Sequence, residues 1–260
     1  EFDGEGSRKL RALADHAAAC WREADAGLWE MRSEPREHVH GKIMSWVALD
    51  RAIRLFPKDG EARWGETRDA IVAEVRARGI DPEGGYLLQA LGQPGVADAA
   101  VLLAPSVDFP IDDAVLARTV EAVERRLARG PYVLRYDTDE TADGLSGEEG
   151  GFLICSFWLA DALLALGRER EARALYETLI AQANDVGLFS EQIDPESGEF
   201  LGNFPQAFTH LAVVCTALTL ELSGLGGRDA VRGTHADRAR RRVEATDGLG
   251  DQLEAGRDIG

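Results

Sequence analysis

Glu30 follows a tryptophan and stands two positions before an arginine, in the stretch Asp25-Ala26-Gly27-Leu28-Trp29-Glu30-Met31-Arg32. A tryptophan face stacks on the apolar face of a sugar or another ring. A carboxylate beside it is partly desolvated, which raises its pKa. That is how a carboxyl group becomes a proton donor near neutral pH. A second carboxylate, Glu191, lies 161 positions later (191 minus 30), after an apolar stretch and beside the amide of Gln192. A third polar loop carries Arg135-Tyr136-Asp137. Two loop carboxylates flanked by apolar residues are what an acid/base hydrolase needs. The same residues also describe a loop anchored by a buried Trp with an ion pair. With 46 Asp and Glu in the chain, such spacing also arises without function.

These loops need helices to hold them. Leu10, Leu13, Ala17, Ala18, Cys20, Trp21 and Ala24 form an apolar stripe at helical spacing over residues 8–24. Residues 40–56 give the strongest helix, with Ile43, Trp46, Val47, Ile53 and Phe56 on one side and Pro57 as its stop. Further helices are expected over about 60–78, 113–129, 152–166, 169–183 and 206–222. Gly167 makes the turn of a tight antiparallel hairpin. Residues 80–112 are punctuated by Gly84-Gly85 and Pro94-Gly95, and 132–136 alternate like an extended segment. The pattern is all-α, with seven or eight helices and a binding site expected on the long loops at one end of them. Residues 1–225 read as one domain. Residues 226–260 are charged, Gly-rich and without apolar period, and are expected to be a disordered tail.

Bulk composition narrows the partners. The net charge is -17, and only 3 of the 29 basic residues are Lys, so nucleic acid and anionic membrane surfaces are not expected partners. No apolar run is read as long enough to span a bilayer, and no apolar leader follows the start of the chain. Cys20, Cys155 and Cys215 lie in apolar segments and read as core residues of a reducing compartment, hence a cytoplasmic setting. His38 and His40 have the i, i+2 spacing of a metal pair, but neither a carboxylate nor a third His completes it. No metal and no cofactor are expected. The Gly150-Gly151 loop lacks the Lys-Ser/Thr that a phosphate cradle requires.

Five stretches, in order, make a more specific pattern: GLWEMR (27–32), HVHGKIMSWVALDRAIRL (38–55), YVLRYDT (132–138), EGGFLICSFWLADAL (149–163) and GLFSEQIDPESGEFLGNFPQAFTHLA (187–212). Together they resemble the C-terminal two-thirds of the catalytic domain of family 15 glycoside hydrolases, the glucoamylase and bacterial trehalase family, over roughly residues 8–223. The resemblance implies an (α/α)6 toroid, here with about the last eight of twelve helices, and inverting hydrolysis of an α-glucosidic bond. It gives Glu30 the role of general acid and Glu191 that of general base. Inversion needs room for a water, so their carboxyl groups should stand roughly 6.5–9.5 Å apart. It makes Trp29 a wall of the sugar subsite and Arg135 a donor fork for sugar hydroxyls, with Tyr136 beside it. Arg32, His40 and Lys42 fall in segments that border the site. The substrate implied is an α-glucoside such as maltose, isomaltose or trehalose. The family's first four helices and an N-terminal Arg-Asp pair have no counterpart. An open toroid of this kind is expected to aggregate, to pair with a second copy or to meet a missing N-terminal segment. Ser33-Glu34 and Gly41 depart from the Gly-Gly and Ser that bacterial members often carry there.

Overall fold

The computed structural model describes residues 4–137, 141 and 149–245. Most of the polar loop after Asp137 therefore lies outside the described residues, as do residues 246–260 of the expected tail. The regular structure of the described residues is helical apart from two small sheets of two-residue strands. It divides into two units. The first comprises Glu1–Ala104, Phe109–Ala128 and Val133–Glu149; the second comprises Pro105–Asp108, Arg129–Tyr132 and Gly150–Gly260.

The first unit is built on α1 (Gly4–Cys20), α2 (Val39–Leu55), α3 (Gly60–Arg78) and α4 (Asp113–Arg126). The helix starts and stops follow the sequence signals to within a few residues. Val39, Ile43, Trp46 and Leu49 bury one side of α2, and Trp64, Ile71 and Val75 that of α3. Phe109 meets Trp46 edge to face at 5.3 Å between ring centroids. Truncating a buried Trp of this kind to Ala typically costs about 3–5 kcal/mol. Between α3 and α4 the chain has little regular structure, but it is not loose. Isolated bridges pair His38 with Ala90, Ile80 with Leu87 and Asp98 with Tyr136, and a 3₁₀ helix spans Ala99–Leu103.

The second unit is built on α5 (Leu153–Ala165), α6 (Glu169–Ile180) and α7 (Ala207–Val231), with α5 packed against both of the others. Gly167, at φ +76°, makes the α5–α6 turn that its sequence position announces. A three-stranded antiparallel sheet joins Gly151–Phe152, Gln192–Ile193 and Phe200–Leu201, with Gly151 opposite Ile193 and Ile193 opposite Phe200. Its core gathers Tyr132, Leu153, Phe157, Leu179, Phe189 and Ile193. Gly151 lies so close to Tyr132 that any side chain would collide with its Cβ, so this glycine serves packing.

The structure differs from the sequence reading at α7. The helix runs to Val231 with a kink at Gly226-Gly227, and residues 235–245 form a further helix, α8. The described part of the expected tail is thus largely helical. Thr234 and Asp237 cap α8 reciprocally: Thr234 N–H and Oγ1 donate to Asp237 Oδ2, and Asp237 N–H donates to Thr234 Oγ1. Arg238 is buried beneath it and donates to the carbonyls of Ser106 and Val231. A single buried Arg leaves no apolar period to read. By length and composition α7 could also cross a membrane, contrary to the expectation that no run is long enough. Leu220, Leu222 and Ala212 are buried, while Phe208, Leu211 and Val214 stand exposed on the same helix.

Candidate active site

Residues 25–36 form a closed loop. Asp25 and Arg36 exchange both main-chain hydrogen bonds at its base, at 2.8 and 2.9 Å. Asp25 Oδ1 accepts from Gly27 N–H at 2.7 Å, as Asp does in a turn. Gly27 sits at φ +72°, and a Cβ there would meet the His38 ring at 2.8–2.9 Å. Both facts require glycine. Glu30 is itself left-handed, at φ 51°, a conformation unusual for a residue with a side chain.

The strained turn sends two neighbours in different directions. Trp29 turns to the interior, where its Nε1–H donates to both oxygens of Asp98 at 3.0 and 3.1 Å. Glu30 remains exposed. The desolvation expected of a carboxylate beside a tryptophan is therefore not found, because the indole is committed to Asp98. The Tyr136 ring lies 6.5 Å from Trp29, tilted by 58°, and is buried. The Arg135 guanidinium carbon stands 5.7 Å from the Trp29 ring centroid and 5.2 Å from that of Tyr136. The same guanidinium is ion-paired with Glu149. Trp29, Glu30, Arg135 and Tyr136 thus share one corner of the first unit, with Tyr136 behind the aromatic wall.

His40 and Lys42 belong to the support of the loop. Lys42 is buried on α2, and its Nζ donates to the Glu23 carbonyl at 2.9 Å, with Glu37 Oε1 3.8 Å away. Burial lowers its pKa, against the pull of Glu37 and Asp25. In the structure the Lys42 ammonium pins the chain where it enters the loop. His40 is half-buried, and burial pushes its pKa down to about 4 in spite of Asp25. Gly41 leaves room for the Asp25 carboxylate, whose Oδ2 would lie 2.7 Å from an added Cβ. Arg32 is exposed at the far end of the loop.

Glu191 belongs to the second unit and immediately precedes its central strand, Gln192–Ile193. Its N–H donates to the Asn203 carbonyl and its carbonyl accepts from Leu153 N–H, which ties it to the hairpin and to the start of α5. Its carboxylate accepts from Gln206 Nε2 at 3.0 Å, from Asn203 N–H at 3.2 Å and from Asn203 Nδ2 at 3.4 Å. Gln206 is also the N-cap of α7, with its Oε1 accepting from Phe208 N–H. The carboxylate is thus held half-buried by amides near a helix N-terminus, where negative charge is favoured. Gly202 makes this possible. It has φ +70°, and a Cβ there would overlap Glu191 Oε2.

A profile described as Glycosyl hydrolases family 15 matches residues 7–218. The chain belongs to glycosyl hydrolases family 15. This family 15 chain is 44% identical over 210 residues to a protein named trehalase from Mycolicibacterium smegmatis, covering 79% of the chain and 31% of that protein. It is 39% identical over 207 residues to a trehalase from Thermoplasma volcanium, covering 77% and 33% respectively. The chain thus spans about a third of the length of these curated relatives. Among solved structures, it shares its fold with a glycosidase at TM-score 0.67 and 24% identity, over 81% of this chain and 59% of that one. A glucoamylase from Saccharomycopsis fibuligera matches at TM-score 0.63 and 12% identity, over 80% and 60%. These likenesses put the family 15 chain in the all-α class expected from the sequence.

Several residues escaped the sequence reading. Asp98 and Glu149 engage Trp29 and Arg135 directly. Asp98 carried a signal: it is the single ionisable residue inside the apolar run Val96–Ala104. Glu149 lies in a loop crowded with acids, and nothing there distinguishes it. Asn203 and Gln206 place their side-chain amides on the Glu191 carboxylate.

Proposed function

We propose that this chain carries the acid/base machinery of an inverting α-glucoside hydrolase, with trehalose or a short α-glucan as substrate. The observation that carries the reading is the Trp29, Glu30, Arg135 and Tyr136 corner, in a chain 44% identical to a trehalase. The Trp29 ring offers a face for a pyranose. Arg135, held by Glu149, has a rigid fork of donors for hydroxyls. Glu30 protonates the leaving glycosidic oxygen. Glu191, which has only acceptor oxygens and is held by amides, takes the proton of the attacking water as general base. No cofactor is needed for this chemistry. The three free thiols fit a reducing, cytoplasmic setting.

A second reading is a carbohydrate-binding module without turnover, favoured by the exposed Glu30. Glucose release from trehalose, maltose and isomaltose separates the two. The proposal expects release by the folded protein and its loss in Glu30→Gln and in Glu191→Gln. Sugar binding without release by any of the three substrates supports the module.

A further inference from the structure

We propose that Asp98 is a positioning residue that sets both the aromatic wall and the Arg135-Tyr136 segment of the site; the inference rests on the hydrolase reading above. Asp98 is buried at the N-cap of the 3₁₀ helix. Its Oδ1 accepts from Ala100 N–H at 2.7 Å and from Trp29 Nε1–H at 3.0 Å. Its Oδ2 accepts from Gln89 Nε2 at 3.1 Å and shares the Trp29 proton at 3.1 Å. The main chain at the same position pairs antiparallel with Tyr136, and Ala99 N–H donates to the Arg135 carbonyl at 2.8 Å. Three separate segments converge on one residue: the loop that carries Glu30, the stretch at Gln89, and the extended segment that carries Arg135 and Tyr136.

A simple helix cap would need only the bond to Ala100. The two side-chain donors make the difference. An ionised carboxylate has acceptors on both arms and no donor. An asparagine must turn one arm into a donor. Whichever arm that is, it faces Trp29 together with either Ala100 or Gln89. Asp98→Asn therefore cannot keep all the bonds, although its shape is unchanged. Either way the indole keeps one neutral amide oxygen in place of two charged ones, so its hold beside Tyr136 loosens and the turn at Glu30 moves with it.

The indole proton of Trp29 reports this directly. The chain has five tryptophans, and the Trp29 signal in a spectrum of the indole-labelled protein is identified by its loss in Trp29→Phe. Asp98→Asn is expected to speed solvent exchange of the Trp29 indole by roughly tenfold or more, about 1.4 kcal/mol, with the other four unchanged. Unchanged exchange at Trp29 overturns the proposal. So does equal acceleration of all five, which would make Asp98 a fold-stabilising cap and nothing more. If Asp98→Asn does not fold, Asp98→Ser takes its place, since its hydroxyl can still cap Ala100 N–H while the second acceptor for Trp29 is removed. Its Trp29 exchange is expected to quicken alone, and no change overturns the proposal. In a hydrolysing preparation, Asp98→Asn is expected to lower kcat/KM on trehalose or maltose by roughly tenfold or more. A wild-type kcat/KM overturns the positioning role. Absence of turnover in the unsubstituted protein, with selective exchange at Trp29, overturns only the hydrolase reading.

Discussion

Gly202→Ala isolates how the proposed general base is held. Two effects add at this position. At φ +70° an alanine pays roughly 1–2 kcal/mol for the left-handed backbone, offset by about 0.4–1 kcal/mol from a less flexible unfolded chain. Its Cβ would also overlap Glu191 Oε2 and stand 3.1 Å from Glu191 Cβ. The carboxylate must then swing off Gln206 and Asn203, and bonds to a charged group contribute roughly 1.5–3 kcal/mol each when buried, less at this half-exposed place. Gly198→Ala is the matched control: φ is +75°, and nothing lies within 4 Å of its added Cβ. The control is expected to lose about 0–1.5 kcal/mol in urea denaturation, and Gly202→Ala about 2–4 kcal/mol. Since a shift of about 1 Å in a reacting group can cost on the order of 10²-fold, turnover should fall by that order in Gly202→Ala and stay near wild type in Gly198→Ala. Equal behaviour of the two variants in both assays would refute the reasoning.

Further expectations follow from buried groups. His40 titrates at about 4 in the folded chain and near 6.5 unfolded, so the unfolded state binds the extra proton between those values. Stability from His40 therefore falls as pH drops from 6.5 to 4, by up to roughly 3 kcal/mol. Asp161 on α5 runs the other way. Burial raises it to about 7, so its contribution falls as pH rises from about 4 to 7. The two slopes oppose each other, and urea midpoints across pH 4–7 check this: His40→Gln should leave the falling slope and Asp161→Asn the rising one. Gly27→Ala should destabilise by about 1–3 kcal/mol and cut turnover, because it strains φ and drives a methyl into His38; unchanged melting would contradict the loop geometry.

The helices were legible because their apolar stripes repeat over three or more turns, and because Pro57 and Gly167 mark their stops. The loop carrying Glu30 was legible for the same kind of reason: Trp29 and Gly27 are costly choices on a surface. The rest depended on partners far apart in sequence. Asp98 meets Trp29 across 69 positions, and no local period reports such a pairing. Glu30 looked desolvated because adjacency to tryptophan was read as contact. A left-handed φ at Glu30 sends the two side chains apart, and neighbouring letters do not show that. α8 was invisible because it is held by a cap and one buried arginine in place of an apolar face. Lys42 illustrates the reverse case, a polar residue in a suggestive segment whose ammonium is spent on the backbone.

The central claim is that Glu30 and Glu191 act as acid and base in an inverting hydrolysis. Following the anomeric protons by NMR during the first minutes of trehalose or maltose cleavage tests it most directly. The account predicts one β- and one α-glucose from each trehalose, and β-glucose from the cut end of maltose, before mutarotation sets in, with no release by either Glu30→Gln or Glu191→Gln. Newly released α-glucose without β-glucose, or wild-type release by either variant, would contradict it.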